Sequence, residues 1–278
     1  MTESGWLEVG SGVFQRRYDP MDVSVVVVVG PTGLTVVDTR NNPAEADEVI
    51  RDIARRFDLP IVAVVNTHAH YDHTFGNQSF AALPSVLIYG HHLIPVHFAE
   101  YEAPRLAAQQ ADPNREPDKR WADVVLTPPG VLVHTVHTMV VGGRTIVLIP
   151  LDPGHTDTDL AVFIPDGRVW LLGDVIEESG PPMFGSGSFP LGWPTVLEGL
   201  LREIQPGDVI VPGHGAVVGR DFVARQMESL QKVADTIRSC AAARTSLDEL
   251  PGDHPLFTLW PKSMLVSAFA QGSAQLGS

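Results

Sequence analysis

The chain has 278 residues, 44% hydrophobic and 19% charged, a balance that excludes disorder and a coiled coil and permits a large buried core. Its 19 basic and 33 acidic residues leave a net charge of −14, which argues against a nucleic-acid partner, because an acidic surface repels phosphate backbones. The single cysteine, Cys240, excludes an internal disulfide and a thiolate-rich zinc site.

Residues Met1–Gly10 hold neither the basic segment nor the apolar run of a signal peptide, and the most apolar run, Val25–Val29, is too short to span a bilayer. The expectation is a cytoplasmic protein without a membrane partner. In chain order, Val23–Val29 and Leu34–Val37 read as neighbouring strands, broken by the turn residues Gly30-Pro31-Thr32-Gly33. Pro43–Phe57 carries Ala46, Val49, Ile50, Ile53 and Ala54 at helical spacing. Ile61–Val65 is a compact strand, Val86–Tyr89 a weaker one, and His91–Trp121 a polar insert of helix and loop. Further strands are expected near Val131–Val136, Thr145–Ile149, Leu160–Ile164, Val169–Leu172 and Val209–Val211. Helices are expected over Val196–Ile204 and Asp221–Ala243, where Cys240 reads as a buried, inert thiol. After Thr245, the residues Pro251, Gly252, Pro255 and Pro261 suggest a mostly irregular tail. Two similar β-rich halves flanked by helices suggest an α/β fold, a four-layer αββα sandwich of two mixed sheets. We read residues 1–278 as one domain, with a helical and irregular extension from about residue 218.

The segment Thr67-His68-Ala69-His70-Tyr71-Asp72-His73 follows the strand Ile61–Val65 directly. In an extended loop His68 and His70 point the same way and Asp72 continues that parity, while His73 turns aside as a helix begins. One loop can thus feed two adjacent metals, and imidazole with carboxylate suits zinc, iron or manganese better than calcium or magnesium. Asp72 also stands where a helix cap would be useful. Three more polar residues end apolar strands beside glycine: His155 in Asp152-Pro153-Gly154-His155-Thr156, Asp174 in Leu171-Leu172-Gly173-Asp174, and His214 in Val211-Pro212-Gly213-His214-Gly215. Singly, each reads as a turn with a capping residue. Together they place His155, Asp174 and His214 on loops at strand ends, where active sites collect.

THAHYDH, PGHT, LLGD and PGHG, in this order and at these distances, resemble the motif set of the metallo-β-lactamase superfamily. The resemblance runs from about Asp38 to His214 and implies the αββα sandwich with a dinuclear site at one edge of the sheets. It implies that one metal takes His68, His70 and His155, that the other takes Asp72, His73 and His214, and that Asp174 bridges them. Asp38 resembles the family's early aspartate, which supports the metal loop from outside. Two Zn2+ ions sharing a water would lower its pKa from about 15.7 toward 7 and polarise a carbonyl or phosphoryl oxygen. Asp72 and Asp174 are the catalytic candidates, Asp72 orienting the nucleophile or passing a proton to the leaving group. Thr67, Thr156, Asp157 and Asp159 are candidates for fixing the ligands, and Asn77 for bracing their loop.

Zinc β-lactamases place a cysteine where this chain has Asp174, or lack a metal-bridging aspartate there. The chain therefore looks more like the broader hydrolases, and the expected reaction is hydrolysis of a small ester, thioester, lactone or amide. The competing readings are a β-lactamase, a mononuclear iron oxygenase resembling the persulfide dioxygenases, and a non-catalytic metal protein. The loop Glu177–Gly185 is expected to overhang the metals, with Met183 or Phe184 against an apolar acyl group. The insert His91–Trp121 reads as a second wall, a lid or a homodimer contact. His91, His92, His97, His134, His137 and His254 read as surface or packing residues.

Overall fold

The protein is described here by a computed structural model covering residues 5–277. Twelve strands form a continuous ladder: β1 (Leu7–Gly10), β2 (Val13–Tyr18), β3 (Val23–Val29), β4 (Leu34–Val37), β5 (Ile61–Val65), β6 (Leu87–His91), β7 (Val131–Val133), β8 (His137–Val141), β9 (Arg144–Pro150), β10 (Leu160–Ile164), β11 (Val169–Glu177) and β12 (Val209–His214). The helices are α1 (Pro43–Arg56), α2 (Tyr71–Thr74), α3 (Asn77–Ala81), α4 (Ile94–His97), α5 (Ala103–Ala111), α6 (Trp193–Glu203), α7 (Arg220–Ala243), α8 (Leu256–Leu259) and α9 (Lys262–Gly277), with a π-helical turn over Phe98–Glu102.

Strands β1–β4 run antiparallel and β4–β7 parallel, while β8–β11 are antiparallel and β11–β12 parallel. The two mixed halves join only where His214 of β12 pairs with Val23 of β3. The valine run of β3 is buried on both faces, which is why it does not alternate with polar residues. Val26 and Val28 face the opposing half, sharing a core with Val65, Leu148, Val162 and Leu171. Val25 and Val27 point the other way, against Val49 and Ile53 of α1. The second half repeats this outside, where Leu197 of α6, Val233 of α7 and Leu265 of α9 cover Trp170 and Leu172. Burial of each such side chain contributes about 1.5–3 kcal/mol, so the helices are clamped on by apolar area. Helix α1 is also well terminated: Asn42 Oδ1 accepts from Glu45 N at 3.0 Å, and Arg55 and Arg56 close its last turn. The αββα sandwich expected from the sequence is the fold observed.

Several local expectations change. β11 and β12 do not stop at Leu172 and Val211 but continue through a shifted register to pair Glu177 with His214. Asp174 and His214 thus lie within strands rather than on loops, because the glycine there bends the strand without ending it. The tail after Thr245 holds a 3-10 turn, α8 and the 16-residue α9. Pro261, read as a breaker, immediately precedes α9, a place where proline costs no helical hydrogen bond. The strands β1, β2 and β8 were not anticipated. Cys240 is buried in α7 as expected. Among the described residues no helix is long and apolar enough to cross a membrane.

Candidate metal centre

The first half of the site is hung from the ends of β4 and β5. These strands pair in parallel, Val37 beside Val65, and Asp38 N donates to Val65 O at 2.9 Å. Asp38 then turns through a left-handed conformation, φ 66°, which aspartate tolerates better than most residues. Its carboxylate is over-determined there: it accepts from Thr67 N (2.8 Å), Thr67 Oγ1 (2.7 Å) and His73 Nδ1 (2.8 Å). His68 and His70 occupy the loop beyond β5, and Asp72 and His73 the single turn of α2. Thr74 Oγ1 ties that turn back to Ala69 O and His70 O, and Asn77 braces it through Asn66 and Thr127 O.

The second half supplies His155, Asp174 and His214. Asp159 holds the His155 turn by accepting from Thr156 N and Oγ1. Gly173 sits at φ 52°, and a Cβ there would meet Thr67 Oγ1 at 2.6 Å, so only glycine lets β11 bend against the Thr67 loop. Across the ladder, a Cβ on Gly213 would fall 1.8 Å from Asp174 Oδ1, so the missing side chain makes room for that carboxylate.

All seven residues expected from the sequence converge and are buried. His68, His70, His155 and Asp174 form one group, and Asp72, His73 and His214 another, with the ligand atoms of each within 4.8 Å of one another. Asp174 lies between them: Oδ2 is 3.7 Å from His68 Nε2, 3.6 Å from His155 Nε2 and 3.4 Å from His214 Nε2, and Oδ1 is 3.1 Å from His73 Nε2. His73 Nε2 and His214 Nε2 are 3.3 Å apart. Donors bound to zinc at about 2.0–2.1 Å in a tetrahedron stand about 3.4 Å from each other, so these spacings fit a metal.

The outer ring nitrogens are mostly fixed by other partners, leaving the inner ones free to coordinate. His70 Nε2 donates to Ser186 O (2.9 Å), His73 Nδ1 to Asp38, and His214 Nδ1 to Met21 O (2.6 Å). His68 Nδ1 meets Thr67 Oγ1 at 3.1 Å, and its buried Nε2 has no hydrogen-bond partner among the described residues. His70 Nδ1 faces His155 Nε2 at 2.9 Å. Such a set of paired outer nitrogens and converging inner lone pairs is what an imidazole metal site requires.

Burial lowers the pKa of His68 and His70 and brings His155 to about 3, so these three are neutral, ligand-ready imidazoles. Burial would also lower His73 and His214, but Asp174 and its neighbouring carboxylates outweigh it and raise both. Burial pushes Asp72 upward and His73 and His214 overcome it, leaving Asp72 at about 2; Asp174 is likewise held far below its usual value by His73, His214 and His68. Protons on His73 and His214 thus balance the carboxylates of Asp72 and Asp174, and a metal cation would take the place of those protons.

A cavity of about 420 Å³ opens over five of the seven, His70, Asp72, His155, Asp174 and His214, and is walled by Met21, Tyr71, Arg105, Glu177, Ser179, Met183 and Gly185. Met183 is exposed there, but Phe184 is buried against Trp193, ring centroids 5.6 Å apart, and belongs to the core. The insert supplies Arg105 to this wall. His97, read from the sequence as a surface or packing residue, is buried, and its place beside the site was missed: its ring lies 5.6 Å from that of His70 and its Nδ1 is 3.2 Å from Asp157 Oδ1. Glu102, fully buried beside His97 and His70, was missed too, and burial pushes its carboxyl up to about 7. Glu177 is buried at the cavity wall, where burial and then Asp174 raise it to about 8. His91 is buried, and its ring meets that of His92, which in turn stacks on exposed His134.

The model of the metallo-β-lactamase superfamily matches residues 18–243. Over 227 residues the chain is 23% identical to the probable metallo-hydrolase YflN of Bacillus subtilis, covering 69% of this chain and 79% of that protein. It is 22% identical over 233 residues to a metallo-β-lactamase type 2 of Bacillus sp. strain 170, covering 83% and 80%. Among solved structures, a metallo-β-lactamase from Pontibacter korlensis superposes with a TM-score of 0.66 at 18% identity over 81% of this chain and 98% of that one. A variant of the sec-alkyl sulfatase PisA1 gives 0.73 at 18% identity over 98% of this chain and 50% of that one. These structural likenesses establish the fold, and the family match joins it to the His/Asp clusters: the chain belongs to the metallo-β-lactamase superfamily.

Proposed function

We propose that the chain is a dinuclear zinc-dependent hydrolase of a small-molecule ester, thioester, lactone or amide. The observation that carries the reading is Asp174, set between two ligand groups, with Oδ2 near His68 and His155 of one and His214 of the other and Oδ1 near His73. His68, His70 and His155 would hold one metal, Asp72, His73 and His214 the other, and Asp174 would serve both; the same donors accept iron or manganese. Two cations, when bound, supply Lewis acidity and lower the pKa of water toward 7. The chain's own part is to orient and to move a proton. Asp72, ionised and 3.4 Å from His214 Nε2, is placed to take a proton from attacking water and return it to the leaving group. The buried flanks of the site restrict bulk water, and Met21 and Met183 offer an apolar surface to the acyl part. The family and the named metallo-hydrolase and β-lactamase relatives support hydrolysis as the reaction class.

The test is turnover by zinc-loaded protein of a cephalosporin, an acyl-homoserine lactone, an acyl thioester, a phosphodiester and an alkyl sulfate, each with and without a chelator. Chelator-sensitive hydrolysis of an ester-like probe, abolished by His70→Ala, is expected. Silence on every probe together with iron binding and oxygen consumption would replace this reading with an iron oxygenase.

A further inference from the structure

We propose that Arg105 and Lys119 form an anion-binding wall beside the metal centre, so that the substrate carries a carboxylate or similar anionic group beyond its scissile bond. The inference rests on the hydrolase reading above and specifies its substrate class. Among the described residues, Arg105 is the only lysine or arginine lining the cavity, whose remaining titratable wall residues are imidazoles, carboxyls and one phenol. It comes from α5 and lies over Tyr71, guanidinium carbon 4.5 Å from the ring centroid. Lys119, from the loop after α5, reaches the same residue: its Nζ is 4.5 Å from the Tyr71 centroid and 3.1 Å from the phenol oxygen. Tyr71 directly precedes the ligand-type Asp72, so both cations are tied to the metal loop. In a chain with a net charge of −14, these two are the cations an approaching anion would meet at this wall, Arg105 already being paired with Glu116.

The wall is built to stay in place. Arg105 Nε and Nη2 hold Glu116 at 3.1 and 2.6 Å, while Nη1 makes no hydrogen bond among the described residues. The guanidinium also lies 5.2 Å from the Trp121 ring, so it is stacked and fixed with one edge left to a ligand. Lys119 is 10% exposed, and besides Tyr71 its Nζ has, among the described residues, only long contacts: 3.8 Å to Asp118 Oδ2, 4.0 Å to Met21 Sδ and 6.0 Å to the Trp121 ring centroid. A planar carboxylate suits such a pair, fork on one side and point charge on the other. The competing purpose is mechanical: the two cations could simply brace Tyr71 against the insert.

The two purposes separate in a matched pair of esters, mono-4-nitrophenyl glutarate and 4-nitrophenyl pentanoate, which differ in a terminal carboxylate. Zinc-loaded full-length protein is expected to favour the glutarate in kcat/KM by tenfold or more. Arg105→Met and Lys119→Met should each cut that ratio at least fivefold, acting through KM, and Arg105→Lys should retain most of it. Glu116→Gln, which releases the guanidinium, should raise the ratio. Equal use of the two esters by the unmodified protein overturns the proposal, as does a Glu116→Gln ratio that falls alongside that of Arg105→Met, the signature of a brace. If neither ester turns over, the wall is read apart from the hydrolase reading, by binding of benzenesulfonate, a poor metal ligand. Tenfold weaker binding in Arg105→Met then supports it, and equal binding overturns it.

Discussion

Asp38 Oδ2 stands 2.8 Å from His73 Nδ1, joining a carboxylate at the end of β4 to an imidazole of α2. The contact fixes the His73 tautomer with Nε2 facing Asp174 and His214. Asp38→Asn keeps the shape but removes the acceptor charge, so zinc affinity of the second group should fall about 10- to 100-fold. Competition with a chromophoric chelator measures it; affinity unchanged within twofold would show that Asp38 does not set the ligand.

Gly213→Ala puts a methyl where Asp174 Oδ1 now lies, with Asp174 N only 2.8 Å away. Backbone cannot yield as a flexible side chain can, so the carboxylate must leave its place between the two groups. The variant is expected to bind one zinc, and the unmodified chain two, by elemental analysis after dialysis.

Asp208 tests the frame rather than the site. Buried, it accepts from Arg168 Nε (2.7 Å) and Nη2 (2.6 Å), Trp170 Nε1 (2.9 Å) and Gln205 N (3.0 Å). Burial would raise its pKa, but these donors, Arg168 first, lower it below 3.8. A depressed carboxyl stabilises the fold above the unfolded value and loses that contribution as pH falls through the folded one. Asp208→Asn should therefore cost about 2 kcal/mol at pH 7. The difference from the unmodified protein should shrink below about pH 3.8, read from denaturant curves at several pH values.

Trp193 fills the floor behind the ligands: fully buried, its ring centroid is 5.2 Å from that of His155, and Nε1 donates to Val175 O at 3.1 Å. Trp193→Ala should destabilise by about 3–5 kcal/mol and free His155 to move. A melting shift without loss of zinc affinity would show that the ring supports the core alone.

The THAHYDH loop was legible from its local spacing, whereas His155, Asp174 and His214 were legible only in combination, through the resemblance of the whole motif set. What escaped depends on partners far along the chain. β2 buries Gln15, whose amide is satisfied by Ser24 Oγ and by Gly215 O, 200 residues away, so its local pattern does not look like a strand. His97 sits in a polar insert and becomes an interior residue only because Asp157 and His70 come to meet it. The strand extensions that carry Asp174 and His214 hide behind Gly173 and Gly213, whose small size serves the fit of Thr67 and Asp174 rather than a turn.

The most direct test is the rate of probe hydrolysis against zinc added to metal-free protein. The account expects the rate to climb until two equivalents are bound and to vanish with chelator. Full turnover at one equivalent with no further uptake, or two zincs bound without hydrolysis of any probe, would contradict it.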